Sequence, residues 1–287
     1  MQVIGAPGLQ AVVVGPDPGR LTFYCEVMGL AAASVVDLGP GGPEAEALAR
    51  GVMDAYGQLS VAEVRRRLPA LRVAAASQVR AAIGLMRGLR AGTGEVELSH
   101  KRQAHAGFFG LEVLTLRHRR FDGRLSPTLQ REVFVAGDAV TVLPYDPVRD
   151  RVLLVEQMRI GPLGRGDPLP WQLEAVAGRI DPGETPEAAA RREAVEEAGL
   201  VLGRLEKVAE YYPTPGAVTE YLYSYVGLCD LPDGVAGVFG AEEEAEDIRG
   251  HLLSFDALMA AVAGGEITNA PLLLTALWLQ RERGRLR

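Results

Sequence analysis

The spacing of apolar residues changes character along this chain. Before residue 95 they recur every three or four positions, which predicts helices over Pro43–Tyr56, Ser60–Leu68 and Leu71–Leu89. Two short runs, Val12–Val14 and Ser34–Leu38, read as strands. From Gly107 the texture becomes β-rich. Leu111–Phe121 and Thr128–Val135 read as strands parted by an Asp122-Gly123 turn. Asp138–Leu143 and Val152–Met158 follow, parted by the turn-rich YDPVRDR, and Trp171–Val176 leads into a helix. Strands are expected again near Leu205–Tyr212, Tyr221–Leu228 and Ile248–Ser254, then helices over Phe255–Ala263 and Pro271–Arg283. Strands flanking a central helix, with helices at the end, predict an α/β protein built as an α/β/α sandwich on a mixed β-sheet. A mostly helical or α/β N-terminal region precedes it. The expected division is an accessory region over residues 1–100 and a main domain over 101–287.

The central helix lies within GRIDPGETPEAAARREAVEEAGL, residues 178–200. Thr185 suits the N-cap, Pro186 the first helical position and Gly199 the C-terminal cap. Ala190, Ala194 and Ala198 line one face with small side chains, which lets the helix sit close to a sheet. Glu193, Glu196 and Glu197 share another arc. Taken alone, an EAVEE run is a solvated acidic face. Yet Glu193 and Glu197 are like charges one turn apart, which costs a helix a few tenths of a kcal/mol. Clustered carboxylates beside a glycine-bearing loop also fit a hard divalent cation such as Mg²⁺.

Composition narrows the setting. The net charge of −7 argues against a broad nucleic-acid surface. The basic cluster Arg117–Arg120 is short, alternates along a strand and reads as a strand edge. Arg72, Arg80, Arg87 and Arg90 read as a solvated helix face. Cys25 and Cys229 are two distant cysteines and form no disulfide framework. The start of the chain lacks a basic leader, and the longest apolar run, Ala270–Leu279, is too short to span a bilayer. The expected location is the cytoplasm, with no membrane partner.

The wider pattern around the glutamates is more specific. Gly178, Glu184, Arg192-Glu193, Glu196-Glu197 and Gly199-Leu200 stand at the spacing of the Nudix box, which the chain closely resembles; Ala194 is smaller than the aliphatic residue often found there. The resemblance implies the Nudix fold and a loop–helix–loop that binds Mg²⁺ (or Mn²⁺) and a nucleoside diphosphate. It implies metal ligation by Glu193, Glu197 and the backbone carbonyl of Ala177. Glu196 is implied as an additional ligand or catalytic carboxylate. Arg192 is expected to pair with Glu184 and hold the loop.

From about Gly107 to the C-terminus the chain resembles the bacterial ADP-ribose pyrophosphatases of that family. The segments that carry this are REVFVAGDAVTVLPYDPVRDRVLLVEQMRIG, PWQLEAVAGRIDPGE and EITNAPLLLTALWLQ. A second acidic stretch, AEEEAED at 241–247, would alone be a solvated loop. In the subfamily this region carries Glu-x-Glu-Asp-Ile, which here is Glu244 to Ile248. The resemblance makes Glu244 the general base and Glu246 a further metal contact, with Glu242 and Glu243 as neighbouring candidates for the base. Phe108 and Phe109 correspond to an adenine-stacking pair, though two adjacent aromatics also suit a core. Arg131, Glu132 and Arg159 match substrate-contacting positions. In YYPTPGAVTE, Thr214, Gly216 and Glu220 match a substrate loop that carries Pro215.

Two positions depart from the pattern. Ala136 stands where the subfamily can carry a substrate-contacting arginine, and Arg179 replaces a hydrophobic residue, so one basic substrate contact is expected to have moved there. The implied activity is Mg²⁺-dependent hydrolysis of ADP-ribose to AMP and ribose 5-phosphate, in a homodimer. The rivals are hydrolysis of another nucleotide sugar, ADP-glucose or GDP-mannose, and a non-catalytic ADP-ribose sensor.

Overall fold

The computed structural model describes residues 2–5, 12–13, 17–30, 36–37, 42–82, 95–240 and 246–287. The chain divides into two compact units, Met1–Gly137 with Thr214–Thr219, and Asp138–Pro213 with Glu220–Arg287.

The first unit opens with a small antiparallel sheet of β1 (Gln2–Gly5), β2 (Val12–Val13) and, across α1 (Pro18–Met28), β3 (Val36–Asp37). Three further helices follow, α2 (Pro43–Asp54), α3 (Val61–Arg66) and α4 (Leu68–Ala82). Tyr24, Val27, Ala49, Val52 and Val64 form their shared core. The strands β4 (Val96–Ala106), β5 (Gly110–His118) and β6 (Leu129–Val135) make an antiparallel meander. Polar links bind helices to meander: Lys101 pairs with Asp54 at 2.7 Å, and Arg67 donates to Gln103 at 2.8 Å. The segment 214–219 lies along the end of β6, where Phe134 N–H donates to the Ala217 carbonyl at 2.8 Å.

The second unit holds β7 (Ala139–Asp146), β8 (Arg151–Met158), α5 (Ile160–Arg165), β9 (Trp171–Glu174), β10 (Val176–Arg179) and α6 (Pro186–Ala198). These are followed by β11 (Leu205–Tyr211), β12 (Leu222–Leu228), β13 (Val238–Phe239), β14 (Ile248–Ser254), α7 (Phe255–Gly264) and α8 (Ala270–Leu286). The sheet runs β11-β12-β7-β8-β14-β13. It is mixed, because β12 lies parallel to β7 while the other pairs are antiparallel. β7 and β8 pair only near their shared turn, at Tyr145–Val152 and Asp146–Arg151. Beyond it they part, and the β9–β10 segment enters between them: β9 pairs with β8, and β10 with β7. One sheet face packs Val140, Val142, Leu153 and Val155 against the alanines of α6. The other packs Leu143, Tyr145, Val152 and Leu154 against α7 and α8. That is the sandwich expected from the sequence.

Several expectations need correction. The β-rich texture begins at Val96, because β4 precedes Gly107. Its side chains are exposed at most positions, so no alternation marks it. The stretch Trp171–Val176 leading into α6 holds β9 and the start of β10, since the chain changes partner at Ala175. Apolar spacing does not predict helices α1 and α5. The end expected for the third helix, residues 83–89, and the arginines at 87 and 90 lie outside the described residues. Among the described residues no helix is long and apolar enough to cross a membrane.

Candidate active site

Helix α6 forms as its local signals require. Thr185 Oγ1 accepts from Ala188 N–H at 3.2 Å, Pro186 occupies the first turn, and Gly199 closes the helix at φ 63°. Its alanine face is buried: Ala190 and Ala194 are 0% exposed. This seats the helix on the sheet and carries Glu193 and Glu197 down onto β10 and β8.

Glu197 is 2% exposed. Its Oε2 accepts from Ala177 N–H at 2.9 Å, and Gln157 Nε2 of β8 approaches Oε1 at 3.4 Å. Glu193 lies directly over Gly178, where a methyl group would collide with its carboxyl group. Burial pushes Glu193 up to about 7 and Glu197 to about 8. The Arg192 guanidinium opposes the rise at Glu193, and the Ala177 N–H opposes it at Glu197. The charge of Glu246 reaches both and adds to the rise.

Arg192 is the hub of the loop before the helix. It donates to both oxygens of Glu184 at 3.1 Å, to Glu193 at 2.7 Å, to Glu196 at 2.9 Å and to the Arg179 carbonyl at 2.9 Å. The expected pairing with Glu184 is therefore present. Glu184 in turn accepts from Asp181 N–H at 3.2 Å. Glu196 is exposed on the rim of this network.

Arg159 stands at the N-cap of α5 and donates its Nε to Glu174 at 2.7 Å. Its positive charge favours the ionised forms of Glu197 and Glu220, as that of Arg179 does at Glu220. Burial raises both Glu174 and Glu220 against these charges. Arg159, Arg179, Glu220, Glu246 and the box glutamates thus share one electrostatic neighbourhood.

The remaining sequence-expected residues lie on the other unit. Phe108 and Phe109 sit at the β4–β5 turn, 72% and 42% exposed, with rings edge to face at 4.9 Å. They are a surface pair, not a core pair. Arg131 and Glu132 are adjacent on β6 and exposed. Thr214 anchors the 214–219 turn by accepting from Val218 N–H at 3.1 Å, and Gly216 is exposed at its tip. Ala136 N–H donates to Thr219 Oγ1 at 2.9 Å. Glu242, Glu243 and Glu244 lie outside the described residues. Three residues of the cluster were not anticipated: Gln157, Glu174 and Asn269, which donates to Glu174 at 2.6 Å. The first two are buried polar residues near the ends of β8 and β9, strands that each carry other polar residues, so the sequence does not set them apart.

Among the described residues no three His, Cys, Asp or Glu side chains form a ready metal-holding group. The pair that is drawn together, Glu193 and Glu197, still suits a hard divalent cation. It supplies oxygen donors only, and a cation would offset what burial and like charge impose on the ionised pair.

Comparison with known proteins agrees with this geometry. The family model described as NUDIX domain matches residues 135–274. The ADP-ribose pyrophosphatase of Escherichia coli (strain K12) is 41% identical over 189 residues, covering 66% of this chain and 90% of that protein. The ADP-ribose pyrophosphatase of Haemophilus influenzae is 34% identical over 188 residues, covering 65% and 86%. The GDP-mannose pyrophosphatase of Escherichia coli O9:H4 (strain HS) is 30% identical over 188 residues, covering 66% and 96%. The chain belongs to the Nudix family.

Proposed function

We infer that the protein hydrolyses the diphosphate of ADP-ribose, giving AMP and ribose 5-phosphate. The observation that carries this is the 41% identity to an ADP-ribose pyrophosphatase across 90% of that protein's length. The box glutamates Glu193 and Glu197 seated on β10 support it.

In this reading Glu193, Glu197 and the Ala177 carbonyl would hold Mg²⁺, or Mn²⁺, with Glu246 and Glu196 as further contacts. The cation, when bound, would neutralise phosphate charge and acidify water. Glu244 takes a proton from the attacking water. The water oxygen bonds to one phosphorus, and the bridging oxygen departs with the other phosphate. Arg159 and Arg179 offer guanidinium donors to the diphosphate and ribose oxygens. Phe108 and Phe109 offer exposed ring faces for adenine; such stacking contributes ~1–3 kcal/mol per base. Arg131, Glu132, Thr214, Gly216 and Glu220 complete the substrate contacts. The protein acts as a homodimer in this reading, and light scattering on the whole chain tests that.

The testing experiment is a panel of ADP-ribose, ADP-glucose and GDP-mannose with Mg²⁺ and with Mn²⁺. ADP-ribose should give the highest kcat/KM. A preference for GDP-mannose would move the assignment to the more distant relatives. Tight ADP-ribose binding without turnover would make the protein a sensor.

A further inference from the structure

The turn between α7 and α8 grips strand β9 through two consecutive side chains. Thr268 Oγ1 donates to Gln172 Oε1 at 2.7 Å, and Asn269 Nδ2 donates to Glu174 Oε1 at 2.6 Å. Gln172 and Glu174 are two residues apart and so lie on one face of the strand. Ile267, just before the pair, is 2% exposed and fastens the turn to the core.

Asn269 also has a second bond. Its Oδ1 accepts from Leu272 N–H at 3.0 Å, which makes it the N-cap of α8. That bond fixes which end of the amide is oxygen, so the nitrogen must be the end facing Glu174. Glu174 is nearly buried, and its other oxygen, Oε2, accepts from Arg159 Nε at 2.7 Å. The chain of bonds runs from the first turn of α8, through Asn269 and Glu174, to Arg159. Because Nε is engaged, the terminal nitrogens of the guanidinium are the donors left for an anionic substrate.

We propose that Asn269 is a positioning residue: through Glu174 it sets where Arg159 presents its guanidinium, and so couples the C-terminal helix to diphosphate binding. The proposal rests on the reading of Arg159 as a substrate contact. A side chain held by one bond to a single carboxylate can swing with that carboxylate. With Glu174 held from both ends, the arginine is fixed before substrate arrives, and loss of that fixing shows in substrate turnover more than in fold.

Three variants test it, using whichever nucleotide sugar the wild-type chain turns over fastest. Asn269→Asp keeps the cap, since Asp caps a helix as well as Asn. It replaces a donor by a carboxylate facing Glu174. Its kcat/KM, measured well below its lowered Tm, should fall by roughly tenfold or more. The double variant Asn269→Asp with Glu174→Gln reverses the bond: the Gln amide donates to Asp, and its oxygen accepts from Arg159. It should return kcat/KM to within about threefold of wild type, a rescue that no purely structural role predicts. Arg159→Ala separates the two claims. If it lowers kcat/KM strongly while Asn269→Asp leaves it within about twofold, the relay is wrong and the Arg159 reading stands. If Arg159→Ala changes nothing, that reading fails and the relay with it. A rescue that does not occur also overturns the relay. If the wild-type chain turns over none of the panel, the functional reading fails and takes the relay with it.

Discussion

Gly178 and Glu193 occupy one another's space. The strand residue has no side chain, and the helix residue lays its carboxyl group where that side chain would be. The glycine of the box is thus explained by close approach of a buried acid, and not by backbone conformation.

Gly178→Ala should therefore damage the site selectively. Overpacking of this kind costs about 1–3 kcal/mol. A shift of the carboxylate by about 1 Å can lower turnover ~100-fold. Calorimetry and steady-state kinetics on one preparation check both, and a Gly178→Ala enzyme with wild-type kcat/KM would rule out the close approach.

The raised Glu193 and Glu197 set a pH dependence whose sign can be worked out. Folded without metal they titrate near 7 and 8. In the unfolded chain a glutamate titrates near ~4.3. Between these values the folded protein binds more protons than the unfolded one. Their contribution to stability is full below the unfolded value and is lost as pH rises through 7 to 8. Metal competes with the same protons. The metal-free Tm should fall between about pH 5 and pH 9, and Mg²⁺ affinity should rise over that range. Glu197→Gln should flatten both trends. Calorimetric Mg²⁺ titrations that give one affinity at every pH would refute this.

Removal of the base proposed above should act on kcat. Glu244→Gln should lower it by ~10²–10⁴-fold with little change in KM. Glu242→Gln and Glu243→Gln should stay within about an order of magnitude of wild type. If one of those two shows the large loss, the base is that neighbour.

Asp150 predicts a stability effect without a catalytic one. It sits at φ 56° in the β7–β8 turn and accepts from Tyr145 Oη at 2.8 Å. It also takes two bonds from Arg283 of α8, and its carbonyl accepts from Phe255 N–H at 2.9 Å. One carboxylate thus ties the turn to the last helix. The Arg283 bonds hold it below the usual carboxylate range. Asp150→Ala should cost about 2–4 kcal/mol in urea unfolding, from lost charged hydrogen bonds and a left-handed backbone without a side chain suited to it. Asp150→Asn should cost less, since Asn tolerates that backbone. Both should keep kcat/KM at temperatures well below melting.

What could be read from the sequence was what is encoded locally. Helix α6 carried its own cap, first-turn proline and terminal glycine, and its alanine face was visible as a repeat. Strand β14 spans the expected Ile248–Ser254. By contrast β4 is polar on both faces, α5 is built from IGPLGR, and α1 mixes aromatic and β-branched residues, so none carries a clear period. The split of β9 from β10 depends on which neighbour each meets, which is a tertiary fact. The same holds in the site. The box and its Arg192–Glu184 pair were legible, whereas the Asn269–Glu174 bond joins residues 95 apart.

The alanine face of α6 has a wider consequence. Ala190, Ala194 and Ala198 fix the clearance between helix and sheet, and Gly178 fixes it again from the strand side. The depth at which Glu193 and Glu197 stand is therefore the difference of two small residues on opposite surfaces. Any enlargement at Ala194 lifts both acids together, though no atom of Ala194 need touch substrate. The apolar side of this helix is in effect the spacer that calibrates its acidic side.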